Sequence, residues 1–173
     1  MREQRGHVLA SVILASAAFG AAPVMAQSTV QTKQYDSGDI YEGEFKNGRQ
    51  HGQGSFSRSD GFRYAGEWVE GRIDGRGIAN YPNGSIYEGD FIDGAPDGVG
   101  KITHADGSTF EGEWKAGVID GGGMASYATG IVYEGEFKNS TQNGMGVMTR
   151  PNGYRYEGSF KDGMPDGDGA LTY

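Results

Sequence analysis

Carboxylates are the first residues in this sequence whose spacing could do chemistry. Glu42, Glu88, Glu111, Glu134 and Glu157 recur in one column, and Glu44, Glu67, Asp90, Glu113 and Glu136 in another. Oxygen ligands in that number could hold a divalent cation if they converged. Asp166–Gly169, "DGDG", resembles the start of a calcium loop but lacks the rest of that motif. Gly94–Thr103, "GAPDGVGKIT", places Lys101 directly after Gly100, as a phosphate-binding loop does. Its glycine spacing differs, and Ile102 stands where Ser or Thr would hold magnesium. Beyond residue 26 the only histidines are His51 and His104, and neither has a nucleophile and an orienting acid arranged as a catalytic set. The expectation is no catalytic residue, no metal site and no cofactor.

The elements that would position these residues are set by a period of 23. Tyr41, Tyr64, Tyr87, Phe110, Tyr133 and Tyr156 are each 23 residues apart. Two residues on stand Gly43, Gly66, Gly89, Gly112, Gly135 and Gly158, and two further on Phe45, Trp68, Phe91, Trp114, Phe137 and Phe160. Later in each unit come Gly52 and Gly54, and their equivalents up to Gly167 and Gly169. A disordered glycine-rich tract does not keep aromatics in columns; a repeat architecture does. "YDSGDI", Tyr35–Ile40, matches Tyr81–Ile86, so residues 27–40 read as a lead-in with a half-repeat before six units that start at 41, 64, 87, 110, 133 and 156.

Each unit reads as a β-hairpin. In "RYAGEW" Tyr64, Gly66 and Trp68 share one face, while Ala65 and Glu67 share the other. "GIANY", Gly77–Tyr81, reads as a short second strand. Asn47-Gly48, Asp74-Gly75, Asp93-Gly94 and Asn143-Gly144 read as turn dipeptides. His51 shares a column with Asp74, Asp97, Asp120, Asn143 and Asp166, and so reads as a turn residue. The mid-strand glycine at 43 and its equivalents costs stability unless a ring closes over it, which is the packing role assigned here. Equivalent carboxylates fall two strands apart, about 10 Å, too far to share one ion, so a solvated outer face is expected.

"YEGEFKNGRQHGQG", "YEGDFIDGAPDGVG", "FEGEWKAGVIDGGG" and "YEGSFKDGMPDGDG" resemble the MORN repeat (membrane occupation and recognition nexus) over residues 41–173. The resemblance implies an elongated antiparallel sheet of stacked hairpins. It also implies scaffolding, protein binding, dimerisation or lipid binding. Kinase activity, found where such repeats adjoin a kinase domain, is not carried over. Three departures stand out: Ala65 for the usual Glu, Ser159 for the second acid, and Ser140 for a turn glycine, where a looser turn is expected.

The start of the chain reads differently. Arg2 and Arg5 precede the apolar run "VLASVILASAAFGAA", and Val24 and Ala26 are placed as a signal peptidase prefers, so residues 1–26 read as a secretory signal peptide. Net charge is −8, and becomes −9 when Arg2, Arg5 and Glu3 leave with that segment. A chain this acidic is expected to avoid nucleic acid. It has no cysteine, so disulfides contribute nothing to its stability.

These features predict an all-β fold: one elongated antiparallel sheet of six stacked hairpins, about 60 Å long. The expected role is a non-enzymatic scaffold or protein-interaction module in a bacterial cell envelope, exported to the periplasm or beyond. The candidate partner surface is an aromatic face of Tyr64, Trp68, Tyr87, Phe91, Phe110, Trp114, Tyr133 and Phe137, with some rings left partly open in a groove. Phe56, Ile102, Met148 and Leu171 add to that face. An unidentified envelope protein is the expected partner, and the last strand, "GALTY", could pair with a second copy. The alternative is a peripheral membrane or phospholipid-binding protein, through a basic stripe of Lys46, Lys115, Lys138 and Lys161 broken by Val69 and Ile92.

Overall fold

The computed structural model describes residues 30–173; the signal-peptide reading of residues 1–26 lies outside them. The described residues form thirteen strands in one antiparallel sheet, with no helix among them. The order in the sheet is the order in the chain. After β1 (Gln31–Gln34), the first strands of the units are β2 (Ile40–Lys46), β4 (Arg63–Val69), β6 (Ile86–Ile92), β8 (Thr109–Lys115), β10 (Val132–Lys138) and β12 (Arg155–Lys161). The second strands are β3 (Arg49–Ser57), β5 (Arg72–Asn80), β7 (Ala95–Thr103), β9 (Val118–Ser126), β11 (Thr141–Thr149) and β13 (Met164–Thr172). The expected sheet of stacked hairpins is therefore what the chain forms.

Two kinds of turn alternate along its edges. Within each unit the turn has two residues, both in the left-handed region, as at Asn47 (φ 52°) and Gly48 (φ 75°). That geometry matches the twist of the strands it joins. Between units a three-residue turn closes with Arg58 N–H donating to Phe62 O at 2.8 Å and Gly61 N–H to Arg58 O at 3.1 Å. The turn at Asn139–Ser140 is not looser than the others. Ser140 adopts φ 61°, its N–H donates to Ile119 O at 2.7 Å, and its Oγ accepts the Ile119 N–H at 3.1 Å. The neighbouring unit thus holds a conformation that glycine adopts unaided.

The Asp-Gly and Asn-Gly pairs later in each unit are not turns, which corrects the reading of Asp74-Gly75, Asn143-Gly144 and His51. They lie inside the second strands, which run nine residues rather than the five of Gly77–Tyr81. Gly66 pairs with Gly77, but Trp68 pairs with Ile73, so Glu67 faces three residues of β5. Gly75 takes φ +107° at this bulge. Turn and bulge both need positive φ, and the same dipeptides serve both.

The bulge bends every hairpin. Tyr127 lies at one end of the β10–β11 hairpin and Gln142 near the other, roughly 20 Å apart along an extended strand. Yet Gln142 Nε2 donates to Tyr127 Oη at 3.0 Å, and Gln50 Nε2 to Tyr35 Oη at 2.6 Å. The two edges of the sheet therefore approach each other over one face. This is how a single sheet buries a face without a second layer.

That face holds the core. Its rings form a continuous edge-to-face chain, each contacting its own unit and the next: Tyr41 on Trp68, Tyr64 on Phe91, Tyr87 on Trp114, Phe110 on Phe137 and Tyr133 on Phe160. Edge-to-face pairs add about 0.5–1.5 kcal/mol each beyond area burial. The mid-strand glycines have the packing role expected of them. A Cβ at Gly54 would strike the Tyr41 ring, and one at Gly43 the Tyr41 hydroxyl and the facing backbone. Tyr41 Oη then reaches the Glu44 carbonyl at 2.9 Å, and the Trp68 and Trp114 indoles donate to Gly54 O and Gly100 O in the preceding units. On the second strands Met148 is buried, Phe56 and Ile102 are half-buried, and Leu171 on the exposed strand β13 is open.

Candidate functional site

The outer face carries the carboxylates, and its two columns differ. The second column is structural. Glu44 accepts the Gln53 N–H at 3.2 Å, Asp90 that of Val99 at 3.1 Å, and Glu113 that of Gly122 at 3.0 Å, so these side chains cap the bulge from outside. The bend is thus satisfied on both sides, by a carboxylate outside and a tyrosine hydroxyl inside. Sequence reasoning missed this role, although the signal was present: Ser159 breaks the acidic column in the one unit whose bulge glycine, Gly167, has nothing near it. The first column faces solvent, with Glu111 3.7 Å from Lys101 and Glu157 2.7 Å from Arg155. Among the described residues no three His, Cys, Asp or Glu side chains gather as a metal site.

The other chemical candidates are also placed. Gly94–Thr103 spans a hairpin turn and strand β7, with no helix to follow it. His104 Nδ1 stands 3.3 Å from Ser85 Oγ, but Ser85 is buried and Asp106 is bonded to Ser108 instead. The Ser108 hydroxyl and N–H hold the Asp106 carboxyl below its ordinary value. His51 lies in β3 with Nδ1 buried and without a partner among the described residues. Its column has a function elsewhere: Asp97 accepts the Ala116 N–H at 2.9 Å, joining the third unit to the fourth, and Asp120 that of Asn139 at 3.4 Å, joining the fourth to the fifth.

Lys46, Lys115, Lys138 and Lys161 each end a first strand, exposed on the edge that carries the two-residue turns. Lys115, Lys138 and Lys161 follow one another at about 10 Å. Arginines on the same edge are paired, Arg49 with Glu70 and Arg72 with Asp93.

The eight candidate rings are all buried, from Tyr87 and Tyr133 at 0% exposure to Trp114 at 8%. The bend closes the sheet over them, so they form a floor rather than an open surface. What a partner could reach is the layer above: half-buried Phe45, Phe62, Tyr81, Ile102, Ile119 and Tyr154. Between the two edges this groove opens into a cavity of about 380 Å³ over Phe110, Trp114 and Phe137, walled by Ile102 and His104 on one side and Ile119 on the other. A hollow of about 450 Å³ on the outer face, around Gly122 and Met124, has no facing wall. The groove is the better site of the two, because it combines apolar lining with enclosure.

Comparison with known proteins gives three findings. The sequence model of a family described as "MORN repeat" matches residues 41–63, 64–86, 87–109, 110–132, 133–153 and 156–173. No curated protein matches the chain. Among solved structures, the SAS-4 (dCPAP) TCP domain of Drosophila melanogaster, in complex with a proline-rich motif of Ana2 (dSTIL), is similar at a TM-score of 0.50 and 11% identity, over 96% of this chain and 98% of that one. The TCP10 domain of Danio rerio CPAP is a slighter likeness, TM-score 0.29 at 13% identity, over 76% and 74% of the two chains.

Proposed function

The chain belongs to the MORN-repeat family, and from that premise we propose that it is a non-enzymatic interaction rod, exported to the cell envelope, that binds a protein partner in its groove. The observation that carries this reading is the groove itself. It is apolar, enclosed by two walls, and runs over a floor made rigid by the chain of rings. Such a surface suits an extended polypeptide better than a reaction, since no nucleophile with a base and an orienting acid lines it. The Drosophila TCP domain, similar in fold, is in complex with a proline-rich motif, which supports a peptide as the kind of partner. Export rests on the basic, apolar and small-residue pattern of residues 1–26.

The test is a crosslinking pull-down from the envelope fraction with the mature protein, Gln27–Tyr173. Capture that depends on groove residues supports the reading. Capture unchanged by groove substitutions places the partner on another surface and overturns it.

Membrane binding is the second reading, and one observation favours it: Lys115, Lys138 and Lys161 line one edge with no ion pair among the described residues. Co-sedimentation with anionic and zwitterionic vesicles decides it. Binding to anionic vesicles that weakens with salt and is lost on changing the three lysines to Gln would make lipid the partner. Absence of binding at low salt removes this reading.

A further inference from the structure

The cavity over Phe110 and Trp114 has a cause in the repeat. The residue just after each three-residue turn is Phe62, Ser85, Ser108, Ile131 and Tyr154 in successive units. Phe62, Ile131 and Tyr154 lie against the core, and the Phe62 ring stands 5.7 Å from that of Tyr81. Ser85 and Ser108 do not supply that bulk, and Ser85 turns its hydroxyl to His104. The wall is therefore notched at the ends of the second and third units. Across the groove a second column reads Gln50, Ile73, Pro96, Ile119 and Gln142. Gln50 and Gln142 reach over and clasp Tyr35 and Tyr127. Ile119, opposite His104, has no polar atom with which to do so, and the groove stays open there.

What is missing defines what fits. The notch lacks one aromatic or branched side chain that other units provide for themselves. No Asp, Glu, Lys or Arg lines the cavity, although the chain as a whole is strongly acidic. An ionised group would lose its hydration there without a counter-charge. The volume of about 380 Å³ sits at the low end of ligand sites, which span roughly 300–1,000 Å³. At the rim Ser108 Oγ, which donates to Asp106, can still accept a hydrogen bond from a peptide backbone, and Ser140 Oγ, which accepts from Ile119, can still donate one.

We propose that this cavity docks one bulky apolar side chain of a partner polypeptide, aromatic or branched aliphatic, in the place that Phe62 and Ile131 fill in their own units. The assignment rests on the protein-binding reading above and names the feature of the partner that is read.

The chain has two tryptophans, Trp68 and Trp114, and only Trp114 lines the cavity. The experiment follows both indole N–H signals by NMR while the mature protein is titrated with N-acetyl amino-acid amides of Phe, Leu, Lys and Glu at millimolar concentration. The Phe and Leu amides are expected to move the Trp114 signal saturably and leave Trp68 in place; the Lys and Glu amides are expected to move neither. Ser108→Phe refills the notch and should weaken the response at least about tenfold, with both indole signals still dispersed. If that variant fails to fold, Ile119→Gln, which can reach His104, closes the groove instead and should do the same. The proposal is overturned if no amide moves Trp114, if either folded variant keeps the full response, or if only a short fatty acid such as decanoate moves it. Partner capture that survives Ser108→Phe but is lost on substitution elsewhere in the groove would also overturn it while leaving the interaction reading intact. A saturable Trp114 response without any captured protein would do the reverse.

Discussion

Glu113 Oε2 accepts the Gly122 N–H at 3.0 Å, on the outer side of a bend whose inner side is covered by the Phe110 ring. Glu44 and Asp90 cap the bends of their own units in the same way, and these carboxylates hold the angle that closes the groove. Glu113→Ala is expected to cost about 1 kcal/mol in urea melts. Gly121→Ala should cost more, about 2 kcal/mol, because Gly121 holds φ +125° and a Cβ there falls on the Glu113 carboxylate. Gly167→Ala, where nothing lies within 4 Å, should cost less than Gly121→Ala. Equal costs at the two sites would mean that the carboxylate does not set the bend.

Five tyrosines donate to the carbonyl three residues ahead, at 2.9–3.2 Å: Tyr41, Tyr64, Tyr87, Tyr133 and Tyr156. The fourth unit has Phe110 and no hydroxyl to offer. Phe110→Tyr is therefore expected to stabilise the protein by about 1 kcal/mol, read as a higher denaturation midpoint at unchanged slope. A lower midpoint would show that the hydroxyl has no room beside Glu113.

His51 occupies a position where Asp97 and Asp120 tie one hairpin to the next. Its Nδ1 is buried without a partner among the described residues. His51→Asp should place an acceptor beside the Glu70 turn and raise stability by about 1 kcal/mol, and Asp97→His should lower it by a similar amount. Calorimetry on both variants checks the pair. A neutral Asp97→His would remove the column's role.

Burial pushes the Tyr64 and Tyr133 phenols up to about 12, and the Tyr87 phenol higher still. Each folded value lies above the ordinary value near 10, so the native state holds these protons more tightly than the unfolded chain does. Their contribution is complete below pH 10 and is lost as pH climbs towards 12. Denaturation midpoints are expected to stay level from about pH 7 to 9 and fall above 10. Phenolate absorbance from these rings should appear together with unfolding. Its appearance near pH 10 in protein still folded would contradict their burial.

The period, the hairpins and the ring columns were legible because neighbours in the repeat are neighbours in space. Tyr64 and Phe91 touch because one unit stacks on the next. The bend was not legible, since Asp74-Gly75 at a bulge and Asp93-Gly94 at a turn use the same residue types for the same backbone need. Everything that depends on the bend was hidden with it. The burial of the eight rings, the Tyr127–Gln142 clasp and the cavity beside His104 all require the edges to meet. The capping role of Glu113 looked like a solvated carboxylate because it is both solvent-facing and bonded. Ser140 shows the converse case, a turn kept by its neighbour where its own sequence argued for a looser one.

The sheet order has a consequence for how the chain reaches this structure. All-β proteins fold slowly, in roughly milliseconds to seconds, because strands far apart in sequence must find each other before any contact repays the closure of the loop between them. Here every strand pairs only with its sequence neighbours. The largest loop that must close for any pairing is a single hairpin, whose formation takes about 1–10 μs. Contact order is accordingly low for a sheet of this size, and refolding is expected to be faster than is usual for proteins made of strands.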